Sequence, residues 1–109
     1  MTVKIGDVAT FANPKSNKKQ ARKILEEAAE VFGAWQQFDD YRLIAIDAAA
    51  VGECSPVDNV RVKNSKLNLI NECADLITAT SNLLAALYVD DMREAMKACE
   101  ARNRERGRL

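Results

Sequence analysis

The sequence predicts an all-α domain, a helical bundle whose four-helix core is completed by oligomerisation. Three observations lead there. Apolar residues recur at spacings of three and four in three separate stretches, as amphipathic helices require. Nothing alternates long enough to make a strand; Val60-Arg61-Val62 is too short. One of the helical stretches has an apolar side wider than a single partner helix needs. At 109 residues the chain amounts to one domain, spanning 1–109.

The elements follow in order. Residues 1–15 read as an extended lead-in, with Asn13-Pro14 as a breaker. Ser16 or Asn17 is placed to cap a first helix running to about Gln37. Its apolar stripe is Ile24, Leu25, Ala28, Val31, Phe32 and Trp35, about 120° wide at 100° per residue. Residues 38–65 form a variable connection. Within it Tyr41 to Val51 reads as a short helix ended by Gly52, and Ser55 to Ser65 as a loop. A long helix then runs from about Lys66 to Tyr88, with Leu69, Ile70, Cys73, Leu76, Ile77, Thr80, Leu83, Leu84 and Leu87 on its broad apolar side. Asp90 or Asp91 caps a third helix, with Met92, Ala95, Met96 and Cys99 inward, and residues 103–109 are a basic tail.

Composition excludes several classes. Lys+Arg and Asp+Glu stand at 16 each, so no overall field favours nucleic acid or membrane. The sequence shows neither a signal-peptide pattern nor a run near the roughly 20 apolar residues of a membrane span. Three widely spaced cysteines, Cys54, Cys73 and Cys99, argue against a disulfide framework, so a cytoplasmic protein with reduced thiols is expected. Histidine is absent. Any catalysis must therefore run on carboxylates, amides, Lys/Arg or a thiol.

The carboxylates are the conspicuous chemistry. Glu26, Glu27 and Glu30 crowd the first helix, where like charges at these spacings repel by a few tenths of a kcal/mol per pair. Glu27 borders the apolar stripe, Glu30 lies one step round, and Glu26 faces mostly away. On the long helix Glu72 and Asp75 are again three apart. Beside them Asn71, Asp75, Thr78 and Asn82 form a stripe of short polar groups, which suggests confinement or a ligand. Packed antiparallel, the two helices bring four carboxylates together, and a divalent cation relieves their repulsion. Magnesium (Mg2+) suits such oxygen ligands, with manganese (Mn2+) as an alternative. The plainer reading is a solvated acidic face; the second carboxylate pair beside the polar stripe favours metal.

Three pieces, in order, resemble the MazG-like all-α NTP pyrophosphohydrolases, relatives of the dimeric dUTPases and dCTP pyrophosphatases. They are "LEEAAE" (Leu25 to Glu30), "NECADLI" (Asn71 to Ile77) and "KACEARNRERGRL" (Lys97 to Leu109). The resemblance covers roughly 17–37 and 66–108. The connection from Glu30 to Glu72 is longer than in compact members of that group. The resemblance implies Glu27, Glu30, Glu72 and Asp75 as metal ligands. It implies Lys97, Asn103 and Arg106 near phosphates or nucleotide, and Glu26 as a supporting group. Asn82 joins the substrate contacts through the polar stripe. Trp35 either stacks on a base or is a core aromatic.

The implied chemistry is hydrolysis of an NTP or dNTP to the monophosphate and pyrophosphate, in nucleotide-pool housekeeping. Glu27 or Glu30 is the candidate to orient or deprotonate the attacking water. The expected partners are the nucleoside triphosphate and further copies of the chain, as a homodimer or homotetramer. Two other classes stay open. One is an inactive helical nucleotide-binding or interaction module. The other is a small nucleic-acid-binding protein using the Arg102 to Arg108 tail.

Overall fold

The computed structural model describes all residues, 1–109, and holds three helices and no strand: α1, Lys18–Ala50; α2, Pro56–Ala86; and α3, Arg93–Glu105. The chain is all-α, as its periodicity predicts. Two expectations about the connection are overturned. The first helix does not stop near Gln37 but continues unbroken to Ala50, because neither Gly nor Pro interrupts residues 34–50. Ser55 to Ser65 is not a loop. Pro56 opens α2 at its first turn, where a missing N–H costs nothing. Ser55 and Asp58 form a capping box: the Ser55 Oγ accepts the Asp58 N–H at 3.3 Å, and the Asp58 carboxylate accepts the Ser55 N–H at 3.0 Å. The connection thus shrinks to Val51–Ser55.

That turn closes through Gly52, whose φ of 75° is the left-handed conformation glycine takes freely. Glu53 N–H reaches back to Ala48 O at 2.7 Å and Gly52 N–H to Ala49 O at 3.1 Å, satisfying carbonyls that α1 leaves open. At the end of α2 the same device is built on Tyr88, a non-glycine residue at φ 60°, with Val89 N–H bonded to Leu84 O at 2.9 Å. Asn17 caps α1, its Oδ1 accepting Gln20 N–H at 2.8 Å. The third helix is capped by neither Asp90 nor Asp91: its N-cap is Met92, without a side-chain cap bond, and Asp91 accepts the Arg93 N–H at 3.0 Å just before it.

α1 and α2 pack as an antiparallel hairpin. Gln20 reaches Ala79, Glu27 comes together with Glu72, and Arg61 lies over the Tyr41 ring, so one helix descends as the other rises. The covered positions repeat every seven residues. On α1 they are Gln20, Glu27, Ala34, Tyr41 and Ala48, with Ile24, Val31, Phe38 and Ala45 between them. On α2 they are Asp58, Ser65, Glu72, Ala79 and Ala86, with Val62, Leu69, Leu76 and Leu83 between. This is a two-stranded coiled-coil seam.

The expected facing of the first helix is therefore corrected in part. Ile24 and Val31 are inward, but Leu25 is 72% exposed and Phe32 59% exposed. They lie on a second apolar face that α2 does not cover. Only five residues in the chain are buried: Glu27, Ala34, Ser65, Ala79 and Asn82. Four are small or amide side chains and one is a carboxylate. The inward face expected for the third helix does not exist within one copy: α3 packs on neither α1 nor α2, Met96 is exposed, and none of its residues is buried.

Candidate metal centre and adjoining cleft

The seam should be apolar throughout, and at one level it is not. Glu27 occupies the place between Ile24 and Val31, and Glu72 the place between Leu69 and Leu76. A carboxylate in such a position gives up water and needs a replacement. Glu27 Oε1 has one, the Lys23 ammonium at 3.0 Å. Glu27 Oε2 has none, although the side chain is only 9% exposed. Glu72 Oε2 is likewise buried without a partner. One carboxylate oxygen from each of Glu27, Glu72 and Asp75 lies within 4.8 Å of the others. Asp75 is exposed, so the group opens to solvent on one side.

Glu30, one turn along α1, belongs to the same electrostatic unit. Its carboxyl is held above the usual range, first by a hydrogen bond shared with Glu27, then by the Glu27 charge, then by desolvation, with a hydrogen bond to Glu72 and the Glu72 charge adding to these. Lys23 is pushed above its ordinary value, chiefly through its hydrogen bond to Glu27. The structure thus brings Glu27, Glu72 and Asp75 together, with Glu30 beside them, linked to Glu27 and Glu72. Glu26 is more exposed and lies 3.8 Å from Lys23.

The donor set fits a hard divalent cation. All the atoms are carboxylate oxygens, and two are buried and unsatisfied, which a cation bound between the helices would correct. Cys73 is only half-buried, and the chain has no histidine, so nothing favours a softer metal.

Beside the carboxylates lies an open cleft of about 1050 Å3. Glu26, Glu27 and Asp75 line one part of it, with Thr78, Ala79 and Asn82 from α2. Phe11, Asn13, Pro14 and Lys15 line another, and Lys19, Gln20, Arg22 and Lys23 complete it from the first turns of α1. The cationic and lead-in members were not anticipated. The signal for them was present in Lys15, Lys18-Lys19 and Arg22-Lys23, a basic run directly before the glutamates.

The remaining expected residues are divided. Asn82 is at the cleft and is the most buried residue of the chain, at 1% exposure; its Oδ1 accepts the Phe11 N–H at 2.8 Å. Thr78 is satisfied within α2 by bonding to Ala74 O at 2.9 Å, and Asn71 is exposed. Trp35 does not line the cleft. It is 47% exposed and stacks on Phe32, centroids 6.2 Å apart, on the uncovered face of α1. Lys97, Asn103 and Arg106 lie on or at the end of α3 and are not brought to the carboxylates of their own chain. Asn103 bonds only within its own segment, to Cys99 Sγ at 3.7 Å and Arg108 Nη1 at 3.4 Å.

No helix is long and apolar enough to cross a membrane. No protein-family model, curated protein or solved structure matches the chain.

Proposed function

We propose that this chain is a metal-dependent nucleoside triphosphate pyrophosphohydrolase, converting a (d)NTP and water to the (d)NMP and pyrophosphate, of the MazG-like all-α kind. One observation carries the proposal: two facing seam positions are given to glutamates whose inner oxygens have no partner. Local rules of packing are broken in this way chiefly where function requires it. Glu27, Glu72 and Asp75 would hold Mg2+ or Mn2+, with Glu30 beside them. A magnesium ion held there would supply charge neutralisation on phosphate oxygens and activation of water. Glu30, with its raised proton affinity, is suited to take a proton from the attacking water. Lys15, Lys19, Arg22 and Lys23 offer ammonium and guanidinium partners to phosphate oxygens.

The working unit is proposed to be a homo-oligomer in the cytoplasm, serving nucleotide-pool housekeeping. α1 carries a second apolar series, Leu25 and Phe32 with Ala28 and Trp35, interrupted by the Asp39–Arg42 ion pair before Ile46, and α2 another at seven-residue spacing, Val60, Leu67 and Ala74 with Ile70, Ile77 and Leu84. Leu25, Phe32, Trp35, Ile46, Val60, Leu67 and Ile70 are all exposed. A second hairpin laid against these faces would make a four-helix bundle. In that assembly α3 of one copy is free to bring Lys97, Asn103 and Arg106 toward a neighbour's carboxylates.

The test is a panel of NTPs and dNTPs, with and without magnesium, followed for released pyrophosphate. Magnesium-dependent pyrophosphate from at least one nucleotide is expected, lost in Glu72→Gln and largely kept in Glu26→Gln. Orthophosphate as the first product would overturn the proposal.

A further inference from the structure

We infer that Phe11 reads the organic part of the ligand, stacking on a planar heterocycle in the cleft beside the carboxylates, and that Asn82 is the residue that positions it. The inference rests on the hydrolase proposal for the class of ligand, and extends it to a segment outside the carboxylate helices.

Three features of the cleft support it. Its carboxylates come from α1 and from Asp75 of α2, while Phe11, on the lead-in segment with Lys15, is the one aromatic residue in its lining. A nucleoside triphosphate likewise combines anionic phosphates with an aromatic ring. The volume, about 1050 Å3, lies at the upper end of the range that small-molecule ligands occupy. Phe11 is 65% exposed, so its face is free to be covered by a ring.

The second support is how Phe11 is held. Residues 1–16 form no regular structure, and one hydrogen bond ties them to the helices: Phe11 N–H to Asn82 Oδ1, across 71 positions of sequence. Asn82 is the most deeply buried side chain in the molecule. A buried amide in a helix-packing interface is costly unless it is bonded, and this one is bonded to the backbone of the aromatic residue. An extended terminus with no role at the cleft would not need so deep an anchor. Asn13 and Gln20, which also line the cleft, add side-chain amides able to donate to and accept from the edge of a heterocycle.

The experiment measures kcat and KM over nucleotides that differ only in the base, for the wild type, Phe11→Ala, Phe11→Trp, Asn82→Ala and Asn82→Asp. Phe11→Ala is expected to raise KM roughly 10-fold for the preferred nucleotide, as loss of one base-stacking contact does, and to flatten the ranking of bases. Its kcat should fall less than its KM rises, because the carboxylates are untouched. Phe11→Trp should keep the ranking. Asn82→Ala should reproduce the Phe11→Ala pattern, and Asn82→Asp, which retains the acceptor, should recover the wild-type KM at least in part. Unchanged KM and ranking in Phe11→Ala would overturn the inference while leaving the hydrolase proposal standing. If the wild type turns over no nucleotide, the hydrolase proposal falls, and calorimetric binding of nucleoside monophosphates then decides. Weaker binding by Phe11→Ala supports the stacking role, and equal binding or none refutes it.

Discussion

Consider Glu27→Gln, first with chelator present. One oxygen each of Glu27, Glu72 and Asp75 lies within 4.8 Å of the others. Two unit charges at that separation repel by about 3.5 kcal/mol at an effective dielectric of 20, and by about 0.9 kcal/mol in water. Asp75 is exposed and sits near the water limit; Glu72 is half-buried and lies between the two. Removing the Glu27 charge therefore relieves roughly 2–4 kcal/mol of repulsion. Against this, the variant loses the ion pair with Lys23, whose half-exposed ammonium is screened by solvent, so the loss offsets only a minor part. The new amide can also donate to the unpartnered Glu72 Oε2. The metal-free variant should thus be more stable than the metal-free wild type by roughly 1–3 kcal/mol. With magnesium the order should invert. A ligand at a hundred times its Kd adds about 2.7 kcal/mol to the wild type, and little to a protein missing a ligating carboxylate. The assay is thermal unfolding followed by circular dichroism at one fixed protein concentration, with EDTA and then with magnesium. Each kcal/mol moves Tm by about 4–8 °C in a domain this small. A Glu27→Gln variant less stable than the wild type under both conditions, with neither protein shifted by magnesium, would refute the metal centre and return these carboxylates to a structural role.

Other outcomes follow from the same structure. Glu30 has a raised proton affinity, so its ionised form costs the folded state stability at neutral pH; that cost disappears as pH falls through the raised value toward the ordinary 4.5. Protons and metal therefore compete, and Mn2+ affinity measured by calorimetry should fall from about pH 7.5 to about pH 5, with a weaker fall in Glu30→Gln. Ser55→Ala removes the capping box of α2 and should cost about 1 kcal/mol in urea unfolding without altering metal affinity. Light scattering at micromolar concentration should show at least a dimer, and Leu67→Glu on the exposed seam should dissociate it; a 12.1 kDa species with full activity would refute the assembly.

The legible and illegible parts of this chain divide for a physical reason. Helix content, the cap at Asn17 and the helix stop at Gly52 could be read because their signals are local. The pairing of Glu27 and Glu30 with Glu72 and Asp75 could be read because antiparallel packing of two helices leaves few arrangements. The facing of α1 could not. A hydrophobicity pattern favours large residues, and here Leu25, Phe32 and Trp35 lie on the uncovered face. The covered seam mixes Ile24, Val31, Phe38 and Tyr41 with Ala34, Ala45 and Ala48 and is interrupted by Gln20 and Glu27. The same weakness hid the start of α2, where the inward residues are Asp58, Val62 and Ser65. Phe11 was invisible because its place depends on a contact with Asn82 that no local pattern encodes.

The position of the carboxylates also bears on how folding and metal binding are linked. A seam whose buried residues are mainly small lets two helices approach closely but removes little apolar surface from water. Placing two glutamates in that seam weakens it further. The hairpin is therefore least stable by itself at the level where a cation would bind, and a cation there joins α1 to α2 through ligands from both. Other large apolar residues, Leu25, Phe32, Trp35, Leu67 and Ile70 among them, lie on the other faces, where a second hairpin would cover them. Each source of stability thus acts on a different side: the cation on the inner seam, the neighbouring copy on the outer one. On this arrangement the chelated protein should keep its assembly while its α1–α2 seam loosens near Glu27. Hydrogen exchange would show the difference as faster exchange in residues 24–31 and 69–76, with Leu67 less affected.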